Sequence, residues 1–142
     1  MADNVGFARE YFELWNRRDW TAIRKALHPQ YSYTGGDGKR QEGADAGLAV
    51  AQMFATGFPD GKIDIKRIHA SGDSTVVVEF LGVGTHKGEM MGIAPTGRKV
   101  SMPVCNILEI RDGKIYAERE YMDILNMLQQ LGVTSTPAAA RA

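Results

Sequence analysis

The chain has 142 residues, 44% of them apolar and 24% charged, the balance of an ordinary globular domain with room for one core. Lys plus Arg and Asp plus Glu both number 17, so the formal net charge is zero. That counts against a general nucleic-acid or membrane-surface binder, which needs a basic excess. Cys105 is the only cysteine, which excludes an intrachain disulfide and a thiolate metal site.

No apolar run approaches the ~20 residues of a membrane span. The opening "MADNVGFAREYF" carries acid and a helical pattern, not a basic region followed by an apolar one, so it does not read as a signal peptide and a cytoplasmic location is expected. One domain is expected over 1–134, with "TSTPAAARA" supplying a frayed tail at 135–142.

After Asp3 or Asn4 as N-cap, Phe7, Tyr11, Leu14 and Trp15 recur at helical spacing. Asp19 can cap again, and Trp20, Ile23 and Leu27 form a second short stripe that Pro29 stops. Tyr31–Thr34 is strand-like, and the glycines of "GGDGKRQEG" make a loop. A third helix is expected from Asp45 to about Phe58, with Gly57 as its C-terminal cap. The period then changes to alternation. "KIDIKRIHA" and "TVVVEFLGVGTH" are strands joined by the turn "SGDS", and a glycine-rich loop, "KGEMMGIAPTG", follows. "RKVSMPVCNILEI" is another long strand, in which Cys105 reads as a small buried hydrophobe. "RDGK" is a two-residue hairpin turn, and "KIYAEREYM" closes the meander before a short helical "DILNMLQQL".

Helices first and long antiparallel strands after give an α+β domain with helices on one sheet face. Gly82, Gly84 and Gly88 stand where a strand can curve or bulge. A curved sheet under helices encloses a cone-shaped cavity, the natural place for a ligand.

This order resembles the nuclear transport factor two-like superfamily. Within it, Phe58-Pro59-Asp60 before an alternating strand, "THKG" at Thr85 and "GIAPTG" at Gly92 resemble SnoaL-like polyketide cyclases and the related ester cyclases. "DGKIYAEREYMDIL" is similar to their closing hairpin and "AREYFELWNRRDW" to their first helix, so the likeness spans roughly residues 5–132. The resemblance implies an intramolecular aldol ring closure with no metal or organic cofactor. In that family an acid on the last strand removes a proton beside a carbonyl, and a histidine on the neighbouring strand assists. Counting outward from Asp112-Gly113 as a two-residue turn sets Cys105 opposite Glu120 and Asn106 opposite Arg119. The family's aspartate then matches Glu120, and its histidine falls near Asn106.

Glu120 is the candidate general base. Strict alternation puts Tyr116, Glu118, Glu120 and Met122 on one face; in an apolar pocket the Glu120 pKa would rise towards neutrality. The bland alternative is a solvated face or a pair with Arg119. Glu118 could share the cavity or form a rim salt bridge, and Asp123 could cap the last helix or face the pocket. His86 could act as acid or substrate donor, or hydrogen-bond the following glycine loop, while His28 reads as structural at a helix end. No two histidines have ligand spacing, so no metal is assigned.

Tyr11, Trp15, Tyr33, Phe54 and Phe58 are core aromatics with polar handles on three of them that could meet a ligand. "GEMMGIAPTG" reads as a flexible lid, with Met90 and Met91 supplying adaptable contact. Exposed valines, Ile107 and Tyr121 on the outer sheet face point to a homodimer. The expected function is acid/base cyclisation or isomerisation of a small hydrophobic carbonyl compound, with Asn106 or His86 holding the enolate oxygen. The alternatives are a non-catalytic binder using the same pocket, and epoxide hydrolysis by an acid–Arg–acid set. Consecutive Glu118, Arg119 and Glu120 cannot all face one cavity, which counts against the last.

Overall fold

Three aspartates start helices, each accepting a hydrogen bond from the backbone N–H three residues on. Asp3 accepts from Gly6 at 2.7 Å and opens α1 (Asn4–Arg17). Asp19 accepts from Ala22 at 3.0 Å and opens α2 (Trp20–Ala26), and Asp123 accepts from Asn126 at 3.0 Å and opens α4 (Ile124–Gln130). The computed structural model describes residues 3–133; the tail expected at 135–142 lies outside the described residues.

The remaining elements are β1 (Leu27–Thr34), β2 (Arg40–Glu42), α3 (Ala44–Gly57), β3 (Lys62–Ser71), β4 (Thr75–Thr85), β5 (Lys99–Arg111) and β6 (Lys114–Met122). They form a curved, open six-stranded sheet in the order β2-β1-β6-β5-β4-β3, with helices across its concave face. Neighbours run antiparallel except β1 and β6, which are parallel, so the sheet is mixed and not wholly antiparallel. Arg40–Glu42, expected as loop, pairs with β1 as a short edge strand.

Asp112 and Gly113 both have positive φ, 53° and 69°, the conformation a two-residue hairpin turn demands. The pairing starts as expected, Arg111 with Lys114 and Ile110 with Ile115, and then slips by one residue at Tyr116. Beyond that bulge Asn106 stands opposite Glu120 and Cys105 opposite Tyr121, which corrects the register counted from the turn. Ile115, not Tyr116, joins Glu118 and Glu120 on the buried face, while Tyr116 stacks against Arg111 and His28. Cys105 lies part-exposed on the outer face, so it is not a core residue.

The β4–β5 ladder runs without a shift, so Gly82 and Gly84 make no bulge against β5, and Gly84 and Gly88 are sites of close approach. A Cβ on Gly84 would lie 2.9 Å from Phe58 Cβ, and one on Gly88 would strike the Thr56 carbonyl. Gly57 is the last residue of α3 rather than a left-handed cap; a Cβ there would lie 2.8 Å from Met90 Cβ. Gly88→Ala is therefore expected to lower the unfolding free energy by about 1–3 kcal/mol, as overpacking against backbone does. Denaturant titration of both proteins checks this; an unchanged midpoint would mean that the α3–loop contact is looser than described.

Candidate active site

Beyond its bulge, β6 turns Glu118 and Glu120 to the concave face, where both are buried, at 1% and 7% exposure. Each neighbouring element adds a hydrogen-bond donor. From β5, Asn106 Nδ2 donates to Glu118 Oε2 at 2.9 Å and to Glu120 Oε2 at 3.3 Å. From β1, Tyr33 donates to Glu120 Oε1 at 2.8 Å and Tyr31 to Glu118 Oε1 at 2.9 Å. From α1, Tyr11 donates to the same Glu118 oxygen at 2.8 Å. Among the described residues neither carboxylate has a cationic partner, and Arg119 instead pairs with Glu109 at 2.7 Å. The Glu120–Arg119 pair, the rim salt bridge of Glu118 and the acid–Arg–acid arrangement are thereby set aside.

Burial first, and then the charge on Glu118, push the Glu120 carboxyl up to about 7, against the pull of its bonds from Tyr33 and Asn106. Burial also raises Glu118, opposed by its three donors Tyr11, Asn106 and Tyr31. The Tyr11 and Tyr31 phenols are pushed well up by burial and by Glu118, and Tyr33 by burial and Glu120, so all three stay protonated donors.

Glu120 is the acid that reaches the cavity between helices and sheet. The surrounding wall is largely apolar and aromatic, with Trp15 and Trp20, Phe54 and Phe58 on and after α3, Phe80 and Met102 on the sheet, and Met127 from α4; Asn16, Arg18 and Lys62 are its other polar residues. Of the expected ligand contacts, Trp15, Phe54 and Phe58 line this space. Tyr11, Tyr33, Asn106 and Glu118 stand behind it as the hydrogen-bonded support of Glu120. Tyr31 belongs to that support and was not singled out in the sequence. The signal was available, because "YSY" places Tyr31 and Tyr33 two apart on one strand.

Two expected site residues lie elsewhere. His86 is fully buried beside Phe58, with ring centroids 5.6 Å apart, and its Nδ1 accepts from the Thr96 N–H at 3.2 Å. It holds the loop after β4 and does not line the cavity. Met91 has a φ of 55°, is 48% exposed, and also lies outside the lining, whereas Met90 is buried against Gly57. The loop is stapled rather than free, since the Gly57 carbonyl accepts from Lys87 at 3.0 Å and Gly88 at 3.2 Å. It thus braces the end of α3 that carries Phe54 and Phe58. Asp123 is occupied as an N-cap, and His28 directly follows the Leu27 C-cap of α2 on entering β1, with its Nδ1 accepting from Gln30 and its Nε2 3.2 Å from Asp112.

Among the described residues no cluster of His, Cys, Asp and Glu could hold a metal ion, and no helix is long and apolar enough to cross a membrane. The family model for SnoaL-like polyketide cyclase matches residues 6–131. The chain belongs to the SnoaL-like polyketide cyclase family. It is 28% identical over 134 residues to aklanonic acid methyl ester cyclase AcmA of Streptomyces galilaeus, covering 93% of this chain and 92% of that one. The crystal structure of IdmH from Streptomyces antibioticus, provisionally assigned as a polyketide cyclase, superposes with a TM-score of 0.81 at 27% identity over 92% of this chain and 99% of that one. AclR of Streptomyces galilaeus, provisionally assigned as a hydroxylase, superposes with a TM-score of 0.81 at 26% identity over 96% of this chain and 85% of that one. This SnoaL-like chain therefore shares its frame with relatives given more than one activity.

The raised Glu120 has a consequence for stability. Its folded pKa exceeds the ordinary 4.5, so the native state holds a proton that the unfolded state gives up. That contribution is complete below about 4.5 and is lost as pH rises through about 7. Glu120→Gln should therefore be more stable than wild type at pH 8, by up to about 3 kcal/mol, with the gain vanishing towards pH 4. Thermal unfolding across pH checks the sign; a gain of equal size at every pH would contradict it.

Proposed function

We propose that this protein is a cofactor-independent cyclase or isomerase acting on a hydrophobic carbonyl compound, in the manner of an aromatic polyketide ester, with Glu120 as its general base. The carrying observation is a single carboxylate, raised towards neutrality, facing a largely apolar and aromatic cavity. In this reading Glu120 takes the proton from a carbon beside a carbonyl. The resulting enolate carbon attacks a second carbonyl of the same molecule, a C–C bond forms, and the new alkoxide receives the proton back from Glu120. Proton and charge balance without any second reactant.

Asn106 is committed to the two carboxylates and His86 to its loop, so neither serves as the enolate's donor. The Trp15 indole N–H lies near the Tyr11 phenol but makes no well-formed hydrogen bond among the described residues. That N–H is buried away from the cavity, so this reading assigns no donor to the enolate oxygen, although such a contact is worth a few kcal/mol in a transition state. The same scarcity favours a second reading, that of a non-catalytic binder. Of the other polar groups on the wall, Asn16 and Arg18 already bond the backbone of Ile63 and of Ala55, Phe58 and Pro59, and Lys62 is exposed to solvent.

The test is turnover of aklanonic acid methyl ester and a panel of simpler aryl diketones by the purified protein. Wild type should convert at least one of them, with a rate that rises through an apparent pKa near 7. Glu120→Gln should lose roughly 10²–10⁴ in kcat. Turnover that survives this substitution rules out Glu120 as base. Saturable binding across the panel with no turnover supports the binder.

A further inference from the structure

Glu118 is a buried carboxyl that this chemistry leaves unused. It is 1% exposed and does not line the cavity, yet it receives three hydrogen bonds, from Tyr11, Tyr31 and Asn106. Glu120 receives two, and the one from Asn106 is the longer of that amide's pair, at 3.3 Å against 2.9 Å. Three donors on one carboxylate favour its charged form. A neighbouring carboxyl then meets a fixed negative charge with no cation between them. The Asn106 NH₂ group sits between the two and donates to one oxygen of each, so they are held together as a unit.

We propose that Glu118 is a positioning residue: a clamped anion behind Glu120 that strengthens Glu120 as a proton acceptor and fixes it at the inner end of the cavity. This rests on Glu120 being the base. The other groups facing Glu120 are few. Strand β1 brings Tyr31 and Tyr33, β5 brings Asn106, and α1 brings Tyr11. Helices α3 and α4 present only apolar side chains to the cavity, and the cations on its wall are Arg18 and Lys62. Arg18 is engaged with backbone carbonyls. Glu118 is therefore the negative charge beside the base, and its charge adds to burial in pushing Glu120 up, whereas on Glu118 itself burial raises the carboxyl and three donors oppose that rise.

The experiment is carbon-13 NMR of the glutamate side-chain carboxyls in full-length protein, titrated in wild type and in Glu118→Gln. In the variant the Glu120 carboxyl should titrate at least about one pH unit lower, as removal of a nearby like charge requires. The acid limb of the pH–rate profile should shift by the same amount. A folded variant whose Glu120 titration does not move overturns the proposal. Should the variant fail to fold, wild type alone decides, because Glu118 must be ionised at pH 7 while Glu120 is still titrating; a protonated Glu118 at pH 7 overturns it. A moved titration together with full activity in Glu120→Gln supports the electrostatic role of Glu118 and sinks the base assignment instead.

Discussion

One amide stands between two buried carboxylates, and the site depends on it. Asn106 Nδ2 bonds Glu118 and Glu120, and no cation accompanies them among the described residues. Two acids in a low-dielectric interior cannot both carry charge cheaply, so their environments must differ. The donors supply the difference. Three converge on Glu118 at the back, and two reach Glu120 at the front, where it meets the cavity. Burial raises both carboxyls, and the donors oppose that rise three to two in favour of the rear one, so the two acids stand in unequal surroundings.

That arrangement needs the bulge at Tyr116. Without it Asn106 would stand opposite Arg119, and its amide would meet the residue that faces outward. The extra residue in β6 lets the tight Asp112-Gly113 turn coexist with an Asn106–Glu120 pairing further along. The parallel junction of β1 with β6 completes the set by laying Tyr33 beside Glu118 in register, which brings its hydroxyl to Glu120.

The cavity wall is shaped from behind. The stapled loop after β4, through Met90, Gly88 and His86, supports the segment that carries Phe54 and Phe58. A wall braced in this way gives a preformed pocket, and the two glycines at its contacts leave no room for a side chain. Relatives assigned as cyclases and as a hydroxylase share this frame, so the chemistry must be argued from the side chains that reach the pocket and not from the fold.

Much of this was legible in the residues. Aspartate caps marked three helices, alternation marked the long strands, and Asp112-Gly113 marked the hairpin, because each signal acts over a few neighbouring positions. Glu120 stood out for the same local reason, as an acid within an apolar alternating run. The sequence could not reveal where the ladder slips, since a bulge is decided by how two strands settle against a core. Nor could it show that Tyr11, Tyr31 and Tyr33 converge on the two acids, residues 87 to 107 positions apart along the chain. His86 and Met91 misled because a loop's path is set by what it packs on. The sequence by itself determined the elements and the acid to watch. Only the tertiary structure decided which acid faces the cavity and which one is clamped behind it, because burial and donor count are properties of the packed whole.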